Sequence, residues 1–310
     1  MAVTTLCGVY PILATPFRAD RSVDEGDLAR LIDFIVESGA DGIVFPGVAS
    51  EFETLETAER THLVDVVAQR VAGRVPLVVG VSSTGGPGAA AHAAQAKMLG
   101  AVAVMAVAPA ALAERKSALR DYYARIAAVG VPVILQNAPP PAGCALSADE
   151  VIELVRTIEG IRYVKEETLP CGQRITRILA AQLPALAGVF GGAGGRYITD
   201  ELARGACGTM PACELTDLHA RQFALHRAGD SAGVRALYYR MLPLLNFQAV
   251  FRMAMTKEVL RARGIIASAG LRAAGPQLDA ADRLELAALL NDIADLLPGN
   301  GGSTVSSQPR

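Results

Sequence analysis

Ile161-Arg162-Tyr163-Val164-Lys165-Glu166-Glu167 decides the reading of the chain. It has the look of a buried strand that ends abruptly in charge. The run before it, 147–160, has helical spacing and closes on Gly160; the run after it, Thr168-Leu169-Pro170-Cys171-Gly172, reads as loop. Lys165 therefore falls at the carboxyl end of a strand within a strand–helix alternation, where α/β proteins place their chemistry. Of the 29 Lys and Arg residues only four are lysines: Lys97, Lys116, Lys165 and Lys257. Arginine cannot form an imine. A lysine withdrawn from water can, because burial disfavours the ammonium and frees its lone pair. Position alone leaves two readings open, a nucleophile or a strand-end amine paired with Glu166 or Glu167.

Outward from this stretch the same rhythm continues in both directions. Apolar runs at 8–15, 42–45, 77–81, 101–107, 131–135, 187–190 and 208–211 read as further strands, with helical spacing between them. Eight near-equal strand–helix units predict an α/β fold of the (β/α)8 TIM-barrel type; a doubly wound sheet is the competing topology. After Glu214 no strand pattern remains. Helices are expected over 216–227, 231–246, 252–263 and 280–297, which divides the chain into a barrel (1–213), an all-helical extension (214–297) and a Gly/Ser-rich tail (298–310) expected to be disordered.

Composition narrows the function. Hydrophobic residues make up 51% and charged residues 19%, as in a well-packed globular protein. A net charge of −2 without a basic block argues against nucleic acid. No apolar run reaches the roughly 20 residues of a membrane span. The first residues lack the basic-then-apolar pattern of a signal peptide, so a cytoplasmic protein is expected. Five cysteines (Cys7, Cys144, Cys171, Cys207, Cys213) are odd in number and include no C-x-x-C pair, which reads as free thiols. Four histidines (His62, His92, His219, His226) show no metal-ligand spacing, and neither a metal nor a cofactor is expected.

Around Lys165, strand alternation puts Tyr163 on the same face, one layer below, where it either fills the core or serves the site. Ser50 and Glu51, after the second strand, are ligand groups or a helix cap. Gly191-Gly192-Ala193-Gly194-Gly195 is not a dinucleotide or P-loop fingerprint; its small residues, Gly191 and Gly192 first, suit a strand end that approaches a ligand closely.

Three motifs in order carry a resemblance: Gly47-Val48-Ala49-Ser50-Glu51 after strand two, Gln136-Asn137-Ala138-Pro139 after strand five, and Val164-Lys165-Glu166 on strand six. Together, and over nearly the whole chain, they resemble the family of dihydrodipicolinate synthase and N-acetylneuraminate lyase. The resemblance implies a TIM barrel with a helical extension, assembled as a homodimer or homotetramer, and a Schiff base between Lys165 and a small 2-oxo acid. It also implies that the second-strand loop (Val48, Ala49, Ser50, Glu51) holds the substrate carboxylate. Departures from the family pattern matter as much. The usual Gly-Thr-Thr-Gly-Glu has become Gly47-Val48-Ala49-Ser50-Glu51, leaving backbone N–H groups and Ser50 for the carboxylate. The proton-relaying tyrosine of strand five is Gln136, whose amide is neither acid nor base. The arginine expected after the proline and the tyrosine expected after strand four are both absent, which argues against lysine biosynthesis. Gln136, the Tyr163-x-Lys165 strand, Leu242-Pro243-Leu244-Leu245-Asn246 and Gly264-Ile265-Ile266-Ala267-Ser268 are most similar to the 2-keto-3-deoxy-L-arabonate dehydratase branch. Dehydration of a 2-keto-3-deoxy sugar acid is therefore the leading expectation. Pyruvate-dependent aldol chemistry, a synthase-like condensation, deamination of a cyclic imino acid, and a non-catalytic ligand-binding barrel are the alternatives. With the tyrosine lost, the proton carrier is expected to be Tyr163, Ser50, or a water held by Gln136 and Asn137.

Overall fold

The computed structural model describes residues 5–298; most of the predicted tail, from residue 299, lies outside them. Strands β1 (Gly8–Val9), β2 (Ile43–Phe45), β3 (Leu77–Gly80), β4 (Ala103–Val107), β5 (Val133–Asn137), β6 (Ile161–Glu166), β7 (Gly188–Gly191) and β8 (Gly208–Thr209) are all parallel. They alternate with α1 (Glu25–Glu37), α2 (Thr57–Val71), α3 (Gly86–Met98), α4 (Lys116–Ala127), α5 (Ala148–Thr157), α6 (Cys171–Ala180) and α7 (Ile198–Ala203). From β2 to β8 each strand pairs with its neighbour in sequence, and β8 pairs with β1. The circle closes where Ile12 bridges both Val44 and Ala212. This is the expected TIM barrel.

The first strand is shorter than the apolar run 8–15 suggested. Pro11 has no N–H to give a ladder, yet its carbonyl accepts from Val44 N, so the chain keeps its place in the wall after regular pairing stops. At the same seam the barrel is very tight. A Cβ on Gly208 would lie 2.0 Å from the Gly8 carbonyl oxygen, so only glycine lets these strands meet.

Alternation sorts the side chains into two cores. Tyr10, Ile12, Val44, Met105, Ile134, Tyr163, Phe190 and Met210 fill the barrel interior. Tyr10 and Tyr163 both lie against Phe190, with ring centroids 5.6 and 6.0 Å away. Their neighbours Val104, Val133, Leu135, Val164 and Val189 face outward onto the helix layer. Helix starts follow local signals: Ser147 accepts from Glu150 N, and the Glu150 carboxylate reaches back to Ser147 N, a reciprocal cap on α5.

The extension consists of α8 (Thr216–Arg227), α9 (Ser231–Phe251), α10 (Met253–Ala262) and α11 (Ala280–Asp292) around a core that includes Leu237, Met241, Leu244, Leu245, Met255 and Val259. Here the structure differs from expectation. The spacing predicts that the second helix ends near Asn246, but α9 runs on to Phe251 through Pro243, which stands on its exposed side. The extra turn brings Gln248 and Arg252 over the carboxyl ends of the strands. Among the described residues no helix is long and apolar enough to cross a membrane.

Candidate active site

The β5–β6 register decides what faces the barrel mouth. Gln136 lies beside Lys165, and Asn137 beside Glu166. The first pair points into the barrel and the second points out of it. Lys165 is 3% exposed, and its Nζ lies 3.4 Å from Glu167 Oε1, its one ion-pair partner among the described residues. Glu167 is the next inward position after Lys165 on the period-two count, just past the end of β6. Its Oε1 also accepts from Ala193 N at 2.9 Å, and its Oε2 accepts from the Gln136 amide at 2.7 Å. Burial works to raise the Glu167 pKa; the Lys165 charge and these two hydrogen bonds outweigh it, and the carboxyl is held below its ordinary range. An ammonium, a carboxylate and an amide thus form one hydrogen-bonded line.

These three groups line a cavity of about 170 Å³ at the carboxyl ends of the strands. Val48 and Ala49 form part of its wall, as do Pro139, Pro140 and Ala193. Val48 and Ala49 open a short 3₁₀ turn, and neither of their N–H groups has a hydrogen-bond partner among the described residues. Arg196, Gln248 and Arg252 line the outer end.

Several expected site residues are placed elsewhere, each for a visible reason. Asn137 faces the helix layer, where its amide donates to Glu166 and to Leu146 O and its oxygen accepts from Leu146 N. It cannot hold a water in the cavity. Glu166 itself is closed off by Asn137, Thr168 N and Arg174, and burial pushes its pKa up. Tyr163 sits below Lys165 as expected, but its hydroxyl accepts from Leu6 N at 2.9 Å in the barrel floor, so it is core rather than proton carrier. Ser50 is fully buried and caps the loop: its hydroxyl donates to Leu13 O and accepts from Gly47 N. Glu51, in the left-handed region at φ 56°, turns away from the cavity to Lys257 and the Arg272 and Ala273 amides. Gly191 and Gly192 do permit a close approach, but to the protein's own carboxylates. A Cβ at Gly191 would lie 1.9 Å from Glu201 Oε2, and one at Gly192 would lie 2.5 Å from Glu167 Oε1.

Sequence reasoning missed Glu167 as a site residue, although the alternation that aligned Tyr163 with Lys165 carries on to it. It also missed Arg196, in the loop between β7 and α7, and Gln248 and Arg252, whose positions depend on where α9 ends. Behind β7, Glu201 is 1% exposed, and neither carboxylate oxygen has a hydrogen-bond partner. Burial, then the nearby Glu167 and Asp200 charges, push its pKa up to about 8. His219, against Gly195, is buried with Nδ1 unpartnered, and burial pulls its pKa down to about 4.

With this geometry in view, comparison with known proteins is informative. The model of the dihydrodipicolinate synthetase family matches residues 5–293. The chain belongs to this family. It is 30% identical over 295 residues to an L-2-keto-3-deoxyarabonate dehydratase of Azospirillum brasilense, covering 94% of this chain and 95% of that one. It is also 30% identical over 243 residues to a 4-hydroxy-tetrahydrodipicolinate synthase of Methanopyrus kandleri, covering 76% and 79%. Among solved structures, a dihydrodipicolinate synthase of Rhodopseudomonas palustris superposes with a TM-score of 0.84 at 26% identity, covering 93% of this chain and 98% of that one. As a member of the dihydrodipicolinate synthetase family the chain is an enzyme, a lyase.

Proposed function

We propose that the chain dehydrates a 2-keto-3-deoxy sugar acid through an imine on Lys165, with Glu167 as the proton carrier. The observation that carries this reading is the placement of Glu167. Where the family pattern has a tyrosine on strand five, Gln136 donates instead to a carboxylate 3.4 Å from the lysine amine. Glu167 was not among the candidates drawn from sequence, and it supplies the base that Gln136 cannot.

The chemistry then follows in order. Glu167 accepts a proton from the Lys165 ammonium, and the free amine adds to the C2 carbonyl. Glu167 hands that proton to the former carbonyl oxygen, whose departure as water leaves an iminium that draws electrons from C3 and leaves Glu167 a carboxylate again. Glu167 removes a C3 proton to give the enamine, then returns a proton to the C4 hydroxyl as the C3–C4 double bond forms and the C4–O bond breaks. One water leaves in that step, and the water consumed in hydrolysing the imine at the end balances the one released in forming it. The unengaged Val48 and Ala49 amides are the groups available to the C1 carboxylate. The dehydratase relative from Azospirillum brasilense supports this choice of reaction.

A second reading, retro-aldol cleavage, requires a base at the C4 hydroxyl, and Glu167 is able to serve there too. Incubation with 2-keto-3-deoxy pentonates and hexonates, followed by mass analysis, separates the two. Loss of 18 Da (one water, about that mass by formula) without pyruvate is expected; pyruvate plus an aldehyde would refute dehydration. The homo-oligomer implied by the family resemblance belongs to the same proposal, and sedimentation showing only a monomer would refute it.

A further inference from the structure

The cavity carries more positive charge than a simple 2-oxo acid needs. Four charged side chains line it: Lys165, Glu167, Arg196 and Arg252. Lys165 and Glu167 offset one another at 3.4 Å. Neither Arg196 nor Arg252 has a carboxylate within 4.0 Å among the described residues, in a chain where most arginines do. The Arg196 guanidinium is nonetheless oriented: it donates to Gln248 Oε1 at 3.3 Å and lies 5.9 Å from the Tyr197 ring. A neutral amide holds its direction without cancelling its charge. Arg252 occupies the junction between α9 and α10 at φ 49°, ψ −121°, a backbone region that L residues rarely adopt and that clusters at functional sites.

Depth orders these groups. Lys165 is buried, Arg196 half-buried and Arg252 exposed, so the arginines stand at the outer end, away from the imine carbon. A substrate with one carboxylate, seated at the Val48–Ala49 amides, leaves that outer charge unanswered. We propose that Arg196 and Arg252 form an anion subsite, and that the substrate carries a second acidic group, a carboxylate or a phosphate, at the end remote from its ketone. This deepens the dehydratase reading and rests on it for the orientation of the substrate. A sugar diacid or a phosphorylated sugar acid fits; a chain ending in a primary alcohol does not use the subsite.

The test uses three chain-matched 2-oxo acids: 2-oxoadipate, 2-oxo-5-phosphonopentanoate and the methyl-ended 2-oxohexanoate. Calorimetric titration of the whole protein gives the affinity of each. The better acid-ended probe is expected to bind about tenfold tighter than 2-oxohexanoate, a modest figure because Arg252 is exposed. Whichever acid-ended probe is the tighter identifies the group. In Arg196→Gln and Arg252→Gln that preference is expected to shrink toward unity, with 2-oxohexanoate affected far less. Equal binding of all three probes, no binding of the acid-ended ones, or a parallel loss for every probe in the variants would each overturn the subsite. The affinity ratio is read whether or not an imine forms. Borohydride trapping on Lys165 tests the imine separately, so the two failures are distinguishable.

Discussion

Two of the four lysines are buried beside a glutamate, and they are built in opposite ways. Lys257 Nζ lies 2.5 Å from Glu51 Oε1, both side chains being fully buried, and it also donates to Gly270 O at 2.8 Å and rests 4.1 Å from the Phe17 ring centroid. Glu51 is equally saturated, its second oxygen accepting from Arg272 N and Ala273 N. Burial lowers the Lys257 pKa, and Glu51 acts against that. Lys165 has one acceptor at 3.4 Å and a cavity in front of it. Burial is common to both. What separates a lysine fit to react from one that holds the fold is unfilled bonding capacity next to open space.

That contrast predicts opposite phenotypes. Lys165→Ala is expected to lose turnover by at least about 10,000-fold and to take no borohydride adduct with pyruvate, while staying folded by circular dichroism. Adduct formation elsewhere on the chain would undo the distinction. For Glu167→Gln we expect turnover to fall by roughly 100- to 10,000-fold with the pyruvate adduct still detectable on Lys165. Because the Glu167 carboxyl is held below its ordinary range, the base stays charged as pH falls, and the acid limb of kcat/KM in the wild-type enzyme is expected below about pH 4.5. An acid limb near neutrality would point to another base.

Lys257→Met sharpens the other half. It leaves Glu51 buried without its counter-charge, which is expected to reduce stability by about 3–5 kcal/mol in urea unfolding. Lys165→Met is expected to change stability by less than about 1 kcal/mol, since Glu167 keeps Ala193 N and Gln136. Equal losses would mean that both lysines are structural.

Glu201 offers a third, smaller contrast, a buried carboxyl with no cation within 4.0 Å and no hydrogen-bond partner among the described residues, on which burial outweighs the more distant Arg196 charge. Its raised pKa means that it keeps a proton that the unfolded chain has already released. Its contribution is therefore fully present below about pH 4.5 and is lost as pH rises toward 8, at about 1.4 kcal/mol per pH unit. Thermal unfolding of Glu201→Gln is expected to show a stability gain over wild type that grows by about 3 kcal/mol between pH 5 and pH 8. A gain independent of pH would show that Glu201 is ionised in the fold.

The period-two and helical patterns that gave the barrel are local properties, so a sequence reveals them. Lys165 was legible for the same reason, because it ends a strand in a chain that otherwise prefers arginine. Asn137 was harder. It was grouped with Gln136 as a holder of water, yet neighbours on one strand face opposite ways, and Asn137 is turned to Glu166 and Leu146. Ser50 and Glu51 were read as part of a loop able to face substrate, but a left-handed residue at the loop's centre turns the carboxylate outward. Gln248 and Arg252 lie outside the strand–helix rhythm altogether, whereas Arg196 follows β7 in the loop before α7. The place of Gln248 and Arg252 at the cavity follows from a helix that continues past Asn246, the end expected from the spacing. Local patterning thus gave the architecture and the buried strand-end lysine, while tertiary packing decided which side chains surround it.

The Lys257–Glu51 contact has a consequence for engineering. It fastens a helix of the extension to the loop that presents Val48 and Ala49, and the turn just before that helix supplies Arg252 to the cavity wall. A chain trimmed after Cys213 would lose a wall of the Lys165 cavity and leave Glu51 buried without its lysine partner. Shuffling barrels and extensions between relatives would have to carry both ends of this clasp together, because each half is an unsound part without the other.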